Sequence, residues 1–402
     1  MVRALVVCLA IFVSDLAAAD PTCSCGDDTS ASAPAHDELK LARVKFADLP
    51  GWSEDHLAEA VPALLASCAK LRELGDDDPV GVDGHGGKAK QWRHACAAAA
   101  AVRAGDEAGA RAMFEAEFVP FAASGKSGTT GKLTAYNVTL MRCSRTKHGK
   151  YKYPILKRPS DLVMVDLGLF TKDAHGRHVW GRVDKNGELQ PMSTRAEIRK
   201  GALDAQHLEL LYADDPVDVL FAQIEGSAKA ELDDGSTVWL EFDGKNGRAY
   251  KGIGALLRDK GLIEKGQGTM QGIRKWLTDH AGRFDEIVDE DSAYVFFKES
   301  KQPGAVGSQK VILTTRRSLA VDRAYVAHST PVFVDTKAPV AGKPGATAPW
   351  QHLLVAQDTG GGILGAVRGD IYWGDDRDAE ELGGRMGGPG KYWVLLPRGV
   401  AK

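Results

Sequence analysis

Three aspartates stand where a carboxyl group can do acid–base work. Asp322 ends the apolar run Leu319-Ala320-Val321, Asp358 ends Leu354-Val355-Ala356-Gln357, and Asp370 precedes Ile371-Tyr372-Trp373-Gly374. A carboxyl at the end of an apolar strand, or within one, loses solvation, so its pKa rises and it can serve as a general acid near neutral pH. Asp358 also opens Asp358-Thr359-Gly360-Gly361-Gly362, where glycine lets backbone approach a ligand closely. Tyr372 and Trp373 are suited to stacking on sugar rings. A single Asp after a strand more often caps a turn. Three such sites within about 50 residues, two of them beside Gly and aromatics, set the chemical reading level with that one.

Other chemistries fit less well. Asp358-Thr359-Gly360 after an apolar run suggests an aspartic protease, which needs two carboxylates sharing a proton. Its second Asp-Thr-Gly or Asp-Ser-Gly is missing, and Asp234-Gly235-Ser236 does not replace it. Gly125-Lys126-Ser127 lacks the earlier Gly of a phosphate loop, and Lys132 is followed by Leu133. Arg368-Gly369-Asp370 matches an adhesion tripeptide by chance, and neither His-Glu-x-x-His nor Gly-x-Ser-x-Gly occurs. No Cys or His pair has zinc-ligand spacing, so no metal is expected.

Composition bounds the rest. The 402 residues carry 51 Lys and Arg against 54 Asp and Glu, a formal net charge of -3. With 44% apolar and 26% charged residues the chain reads as folded, with room for two or three domains. Near-neutral charge argues against nucleic acid as partner. The balance conceals one block: Lys126 to Arg158 holds nine Lys or Arg and no Asp or Glu. It reads either as a solvated loop surface or as a docking surface for an anionic polymer.

Arg3, the apolar segment Ala4 to Val13 and Ala17-Ala18-Ala19 before Asp20 read as a secretory signal peptide, residues 1–19. A lipid anchor is a poorer fit, because the residues before Cys23 and Cys25 do not make a lipobox. Without Cys8 of the signal, five cysteines remain in an oxidising compartment. Cys68 and Cys96, on the apolar faces of consecutive predicted helices, are the disulfide candidates; the state of Cys23, Cys25 and Cys143 stays open.

Positioning these residues falls to the following elements. Residues 20–42 read as a flexible leader. Three helices follow: one capped by Ser53, with Glu54 and Asp55 at its N-terminus and an apolar stripe through Leu57, Val61, Leu64, Leu65, Cys68 and Leu71; one around Trp92 to Arg103; and one from Asp106 to near Phe118. From Leu133 β-branched runs alternate with turns. Strands are predicted at 161–170, 207–212, 217–224 and 237–242, with an Asp233-Asp234-Gly235 hairpin turn. Helices interrupt at 194–203 and 269–280. Strands return at 311–314, 319–321, 331–334, 353–357, 367–373 and 392–396. This grammar is β-rich α+β: two barrels with helices outside.

From about residue 45 to the end the chain resembles the membrane-bound lytic murein transglycosylase A family (MltA). The carrying segments are Phe46-Ala47-Asp48-Leu49-Pro50-Gly51-Trp52, Tyr153-Pro154, Arg158-Pro159-Ser160-Asp161-Leu162-Val163 and Val165-Asp166-Leu167-Gly168. Leu208-Glu209, Asp215-Pro216-Val217-Asp218, Asn246-Gly247, Ile253-Gly254 and Tyr294-Val295-Phe296-Phe297 continue the match. It ends in Leu313-Thr314, Arg317 to Asp322, Ala356 to Gly361 and Arg368 to Gly374.

The resemblance implies a double-psi β-barrel domain (43–137 and 254–402, its 3D module at about 305–398) with a second β-barrel inserted at 138–253 and a glycan groove between them. It implies that the three Asp of the 3D module are Asp322, Asp358 and Asp370, with Asp370 the catalytic acid/base and Asp358 and Asp322 supporting carboxylates. Substrate binding is expected from Thr134, Tyr136, Glu225, Gly226, Ser227 and Tyr372, and no cofactor is required.

The implied activity is that of a lytic exotransglycosylase. It would cleave peptidoglycan between N-acetylmuramic acid and N-acetylglucosamine with formation of 1,6-anhydromuramic acid. The implied partners are glycan strands and the outer membrane, for an exported, monomeric protein in the periplasm of a Gram-negative bacterium.

Four segments depart from the family pattern. Its Thr-Gly-Tyr-Tyr-Glu-Pro is Thr134 to Thr139 here, its Gln-Gly-Ser-Gly is Glu225-Gly226-Ser227-Ala228, and its Ala-Ile-Lys-Gly is Gly362 to Gly365. Its Pro-Leu-Gly is Ala327-His328-Ser329. These departures keep open a catalytically impaired peptidoglycan-binding protein on the same scaffold.

Overall fold

Six strands close into a ring in this computed structural model, which describes residues 37–171, 178–264, 267–343 and 345–401. Around the ring run Gly387–Pro397, Pro331–Pro339, Thr347–Asp358, Ser318–Val321, Arg368–Tyr372 and Gly131–Tyr136, and the last pairs back onto the first. Two contacts, Ser318–Val321 with Thr347–Asp358 and Arg368–Tyr372 with Gly131–Tyr136, are parallel; the others are antiparallel. Phe118–Ser124 and Lys40–Arg43 extend the sheet outside the ring. Closure removes free edges. The barrel is filled by alternate residues of its strands, among them Leu133, Leu319, Val321, Val332, Leu354, Ile371 and Val394.

Helices Val61–Arg72, Arg93–Ala101 and Glu107–Glu117, with the 3-10 turns that lead into the first two, cover the opposite face of this sheet through Leu57, Leu64, Trp92 and Phe114, packed on Phe333, Leu353, Val355 and Leu395. Cys68 and Cys96 form a disulfide that staples the first two. The third helix starts as expected, Asp106 accepting from the Gly109 N–H. The first does not. Ser53 makes no cap, residues 52–54 and 57–60 form 3-10 turns, and the α-helix begins only at Val61, ahead of Pro62 in its first turn. Asp55 points inward instead of complementing a helix dipole. The predicted leader is strand by Lys40–Arg43; its earlier part, the signal peptide, Cys23 and Cys25 lie outside the described residues.

The second barrel orders Val295–Glu299, Thr237–Lys245, Ser227–Leu232, Thr139–Ser144, Glu209–Ala213 and Tyr153–Leu156, and a bridge between Lys157 and Phe297 joins its two ends. The Asp233-Asp234-Gly235 turn links an antiparallel pair as predicted. Residues 217–224, expected as strand, are inside the helix Pro216–Glu225. Asp215 accepts from the Val217 N–H, Pro216 opens the helix, and Gly226 closes it at φ 76°. The apolar run that looked like a strand serves two helix faces: Val217, Leu220 and Phe221 pack with Ile253, Leu256, Trp276 and Leu277, while Val219 and Ala222 pack on the sheet.

Smaller differences follow from local competition. Of 161–170 only Val163–Asp166 is strand, because Asp166 caps a 3-10 turn at Leu167–Leu169. Residues 311–314 make only the isolated Val306–Ile312 bridge. The helix expected over 194–203 is confined to Arg195–Arg199, under a Thr194–Glu197 capping box.

The expected return to the first barrel at 254 comes later in the chain. Helices Ile253–Asp259, Met270–Asp279 and Phe284–Val288 pack on the second unit, and Val295–Glu299 still pairs within its sheet. The basic block is not a loop but contributes three strands. Arg142 and Lys150 pair with Asp214, and Arg145 with Glu299, so three of its nine positive side chains have acidic partners among the described residues.

Candidate active site

Strand register lines up the site residues. Asp358 lies opposite Ala320, Ala320 opposite Asp370, and Asp370 opposite Thr134, a row across four neighbouring strands. Asp370 is 18% exposed at its side chain, while Gly369 and Ile371 on either side are buried. Alternation along the strand therefore turns Asp370 outward and its neighbours inward.

The Thr134 hydroxyl donates to Asp370 Oδ1, and Arg368 Nη2 stands 3.7 Å from Oδ2. Burial pushes the Asp370 carboxyl above the usual carboxylate range, and the Asp358 charge adds to this. Arg368, the Thr134 hydroxyl and Lys132 oppose it without cancelling it. The result is an acid that holds its proton unusually well, beside cations that support the carboxylate once the proton has left.

Asp358 is held differently. Its Oδ2 accepts from the Tyr136 hydroxyl at 2.7 Å, and its Oδ1 accepts from the Ser308 and Thr359 N–H groups, both at 2.8 Å. Burial raises its pKa against these bonds. Burial, then the charges of Asp358 and Asp370, keeps the Tyr136 phenol protonated as a donor. Asp358 is thus fixed in orientation and loaded as an acceptor. Asp322 stands outside the row. It accepts from Ala324 N–H at 3.0 Å and Gly365 N–H at 2.8 Å, tying two turns together.

The structure brings Glu225 to this place from the second barrel, close enough for the Asp370 charge to act on it. Gly226 supplies the left-handed turn after it, and Ser227 is buried at the start of the next strand. Tyr372 and Trp373 do not offer stacking faces: they are 2% and 4% exposed. Tyr372 packs against Tyr136 with ring centroids 5.5 Å apart, and Trp373 against Trp350 at 5.5 Å. Trp373 follows Ile371 into the barrel, whereas Tyr372 shares the face of Asp370 and is covered there by Tyr136, Val138, Ala305 and Leu313.

Sequence reasoning missed Arg368 and Lys132. The period of two was a usable signal, since Arg368 precedes Asp370 by two residues and Lys132 precedes Thr134 by two. His328 was visible only as a departure. Its ring nitrogen lies 3.2 Å from the Ser308 hydroxyl, and burial, reinforced by Arg323, lowers its pKa to about 3, so it stays neutral beside Asp358.

Comparison with known proteins agrees with this architecture. The MltA specific insert domain matches residues 132–298 and the 3D domain matches residues 317–396. Membrane-bound lytic murein transglycosylase A of Escherichia coli K12 is 29% identical over 268 residues, 66% of this chain and 65% of that protein. The Vibrio cholerae protein of the same name is 32% identical over 204 residues, 50% of this chain and 55% of that one. The chain thus spans just under two thirds of the length of the first of these curated relatives. A crystal structure of membrane-bound lytic murein transglycosylase from Agrobacterium tumefaciens covers 89% of this chain and 98% of its own, with 31% identity and a TM-score of 0.78. With the ring closed, the aspartates aligned across it and both domains matched in order, the chain belongs to the membrane-bound lytic murein transglycosylase A family.

Proposed function

We propose that the chain is a lytic transglycosylase of peptidoglycan, with Asp370 as its acid and then its base. What supports this reading is a half-buried Asp370, its pKa raised by burial, in line with Thr134 and Asp358. Protonated Asp370 donates to the oxygen linking N-acetylmuramic acid to N-acetylglucosamine, and the bond from that oxygen to the muramyl anomeric carbon breaks. The resulting carboxylate takes the proton from the muramyl 6-hydroxyl, whose oxygen bonds to the same carbon. The products are a free glucosaminyl 4-hydroxyl and a 1,6-anhydromuramyl end; no water is consumed and Asp370 is again protonated. One carboxyl serves both steps, so the spaced carboxylate pair of ordinary glycosidases is not needed. Thr134 and Arg368 steady the anionic intermediate form, and Asp358 with Tyr136 fixes the wall beside it.

The N-terminal apolar segment and the membrane-bound relatives support export to the periplasm, with association at the outer membrane. No helix among the described residues is long and apolar enough to cross a membrane. The test is digestion of purified sacculi in isotopically heavy water followed by mass spectrometry. The reading requires 1,6-anhydro ends without incorporated oxygen. Hydrated reducing ends would make the protein a hydrolase, and bound but uncut sacculi would make it the impaired binding protein.

A further inference from the structure

Asp358 takes one of its hydrogen bonds from a tight turn outside the strands. Residues 307–310 close on themselves, the Lys310 N–H donating to the Gly307 carbonyl and the Gly307 N–H to that of Val311. The turn lies flat against the end of Thr347–Asp358. The Gln309 N–H donates to the Gln357 carbonyl at 3.1 Å, and a Cβ on Gly307 would stand 2.6 Å from the same oxygen, so only glycine allows the approach. From there the Ser308 N–H reaches Asp358 Oδ1 at 2.8 Å, and the Ser308 hydroxyl stands 3.2 Å from His328 Nε2.

Beneath the turn a chain of side chains holds it. Gln309 Nε2 donates to the Ser329 hydroxyl at 2.6 Å, and Gln309 Oε1 accepts from the Ser67 hydroxyl at 2.9 Å. Gln357 Nε2 donates to the Ser67 hydroxyl at 2.9 Å and to the Ala63 carbonyl at 2.8 Å, while Gln357 Oε1 accepts from the Ser318 hydroxyl at 2.6 Å. Ser67, Ser318 and Gln357 are completely buried, and Ser329 almost so. A buried polar group left without its partner is costly, so a chain bonded from end to end fixes one arrangement. This one runs from the helix Val61–Arg72 to the turn beside Asp358. His328 and Ser329, which touch the turn from the other side, belong to the segment that departs from the family's Pro-Leu-Gly. Ser329 holds φ 77°, in the left-handed region that favours glycine. Glycine would adopt that backbone freely but would give Gln309 Nε2 nothing to bond.

We propose that Gln309 is a positioning residue of the site: pinned between Ser67 and Ser329, it fixes the turn that keeps the Ser308 N–H on Asp358. Its effect on rate rests on the transglycosylase reading. Asp358 has the Tyr136 hydroxyl on one oxygen and the Ser308 and Thr359 N–H groups on the other. Burial raises its pKa, and the Ser308 N–H counts most among the bonds that oppose this. Tyr136 lies two residues beyond Thr134 on one strand, hence on the same face. A loosened Asp358 therefore loosens the side of the site from which Thr134 reaches Asp370. Gln309 acts through Ser308, the residue before it.

The experiment compares wild type with Gln309→Met and Ser329→Gly in two ways: hydrogen exchange over residues 305–312 by mass spectrometry, and initial rates on soluble peptidoglycan fragments. Methionine matches glutamine in length and bonds to neither serine. Ser329→Gly removes the acceptor but relieves the left-handed backbone, so its fold is expected to persist and it decides alone should Gln309→Met not fold. Both variants are expected to exchange the turn amides faster and to lose about tenfold in kcat per folded molecule, the effect of one hydrogen bond, with KM near that of wild type. A merely structural Gln309 would leave kcat per folded molecule unchanged. That result in Ser329→Gly, or turn amides as protected as in wild type, would overturn the proposal. Faster exchange in the variants of a wild type that yields no anhydro ends contradicts the transglycosylase reading and leaves the held turn standing.

Discussion

Asp55 and Asp370 are both withdrawn from water, and they end in opposite states. Asp55 is completely buried, yet two Arg317 contacts at 2.9 and 3.1 Å, His352 at 2.7 Å and the Leu353 N–H at 2.7 Å surround its carboxylate. Burial pushes its pKa up, but His352, Arg317 and Leu353 more than reverse this and hold it below the usual range. Asp370 has a guanidinium at 3.7 Å and one hydroxyl donor, and burial prevails. Full compensation makes a carboxylate into a structural tie between the helical cover and the barrel. Partial compensation leaves a proton available for chemistry.

Substitutions can break this contrast from either side. Asp370→Asn keeps size and removes the proton cycle, so turnover on sacculi falls about 10³-fold, within the span of general acid–base catalysis, while the thermal midpoint stays near wild type. Asp55→Asn acts the other way. It leaves Arg317, 2% exposed, with only Glu59 as acidic partner, and denaturant titration is expected to show a loss of about 3–5 kcal/mol. Turnover per folded molecule is retained. Because the Asp55 pKa is lowered, its contribution is present above the unfolded carboxylate range and lost as pH falls through the folded value.

Replacing both Cys68 and Cys96 by Ala opens a link across 28 residues and lowers stability by about 2–4 kcal/mol without touching the row of aspartates. Tyr136→Phe is the mildest, removing one donor from Asp358. Rates should fall about tenfold, the effect of one hydrogen bond, with the fold intact.

What the sequence revealed follows the same contrast. The three aspartates were legible because apolar strands frame them, and the disulfide was legible because two helical stripes carry its cysteines. The helix Pro216–Glu225 was misread because its apolar run suits either period, although Asp215-Pro216 and Gly226 marked both of its ends. The partners of Asp55 were out of reach: Arg317 and His352 lie 262 and 297 residues away in sequence, and only barrel closure brings them together. For that reason Asp55 looked like a helix-dipole residue. Tyr372 and Trp373 were assigned to the ligand on residue type, whereas alternation sends Trp373 into the barrel and neighbouring side chains cover Tyr372 on the face it shares with Asp370.

The pH dependence of kcat on soluble peptidoglycan fragments tests most directly whether an under-compensated, protonated Asp370 starts the reaction. The raised pKa means that Asp370 carries its proton below that value and loses it above. The predicted profile therefore holds through the weakly acidic range and declines through a single step lying above the ordinary aspartate range. A kcat that stays level or climbs into alkaline pH would contradict the account.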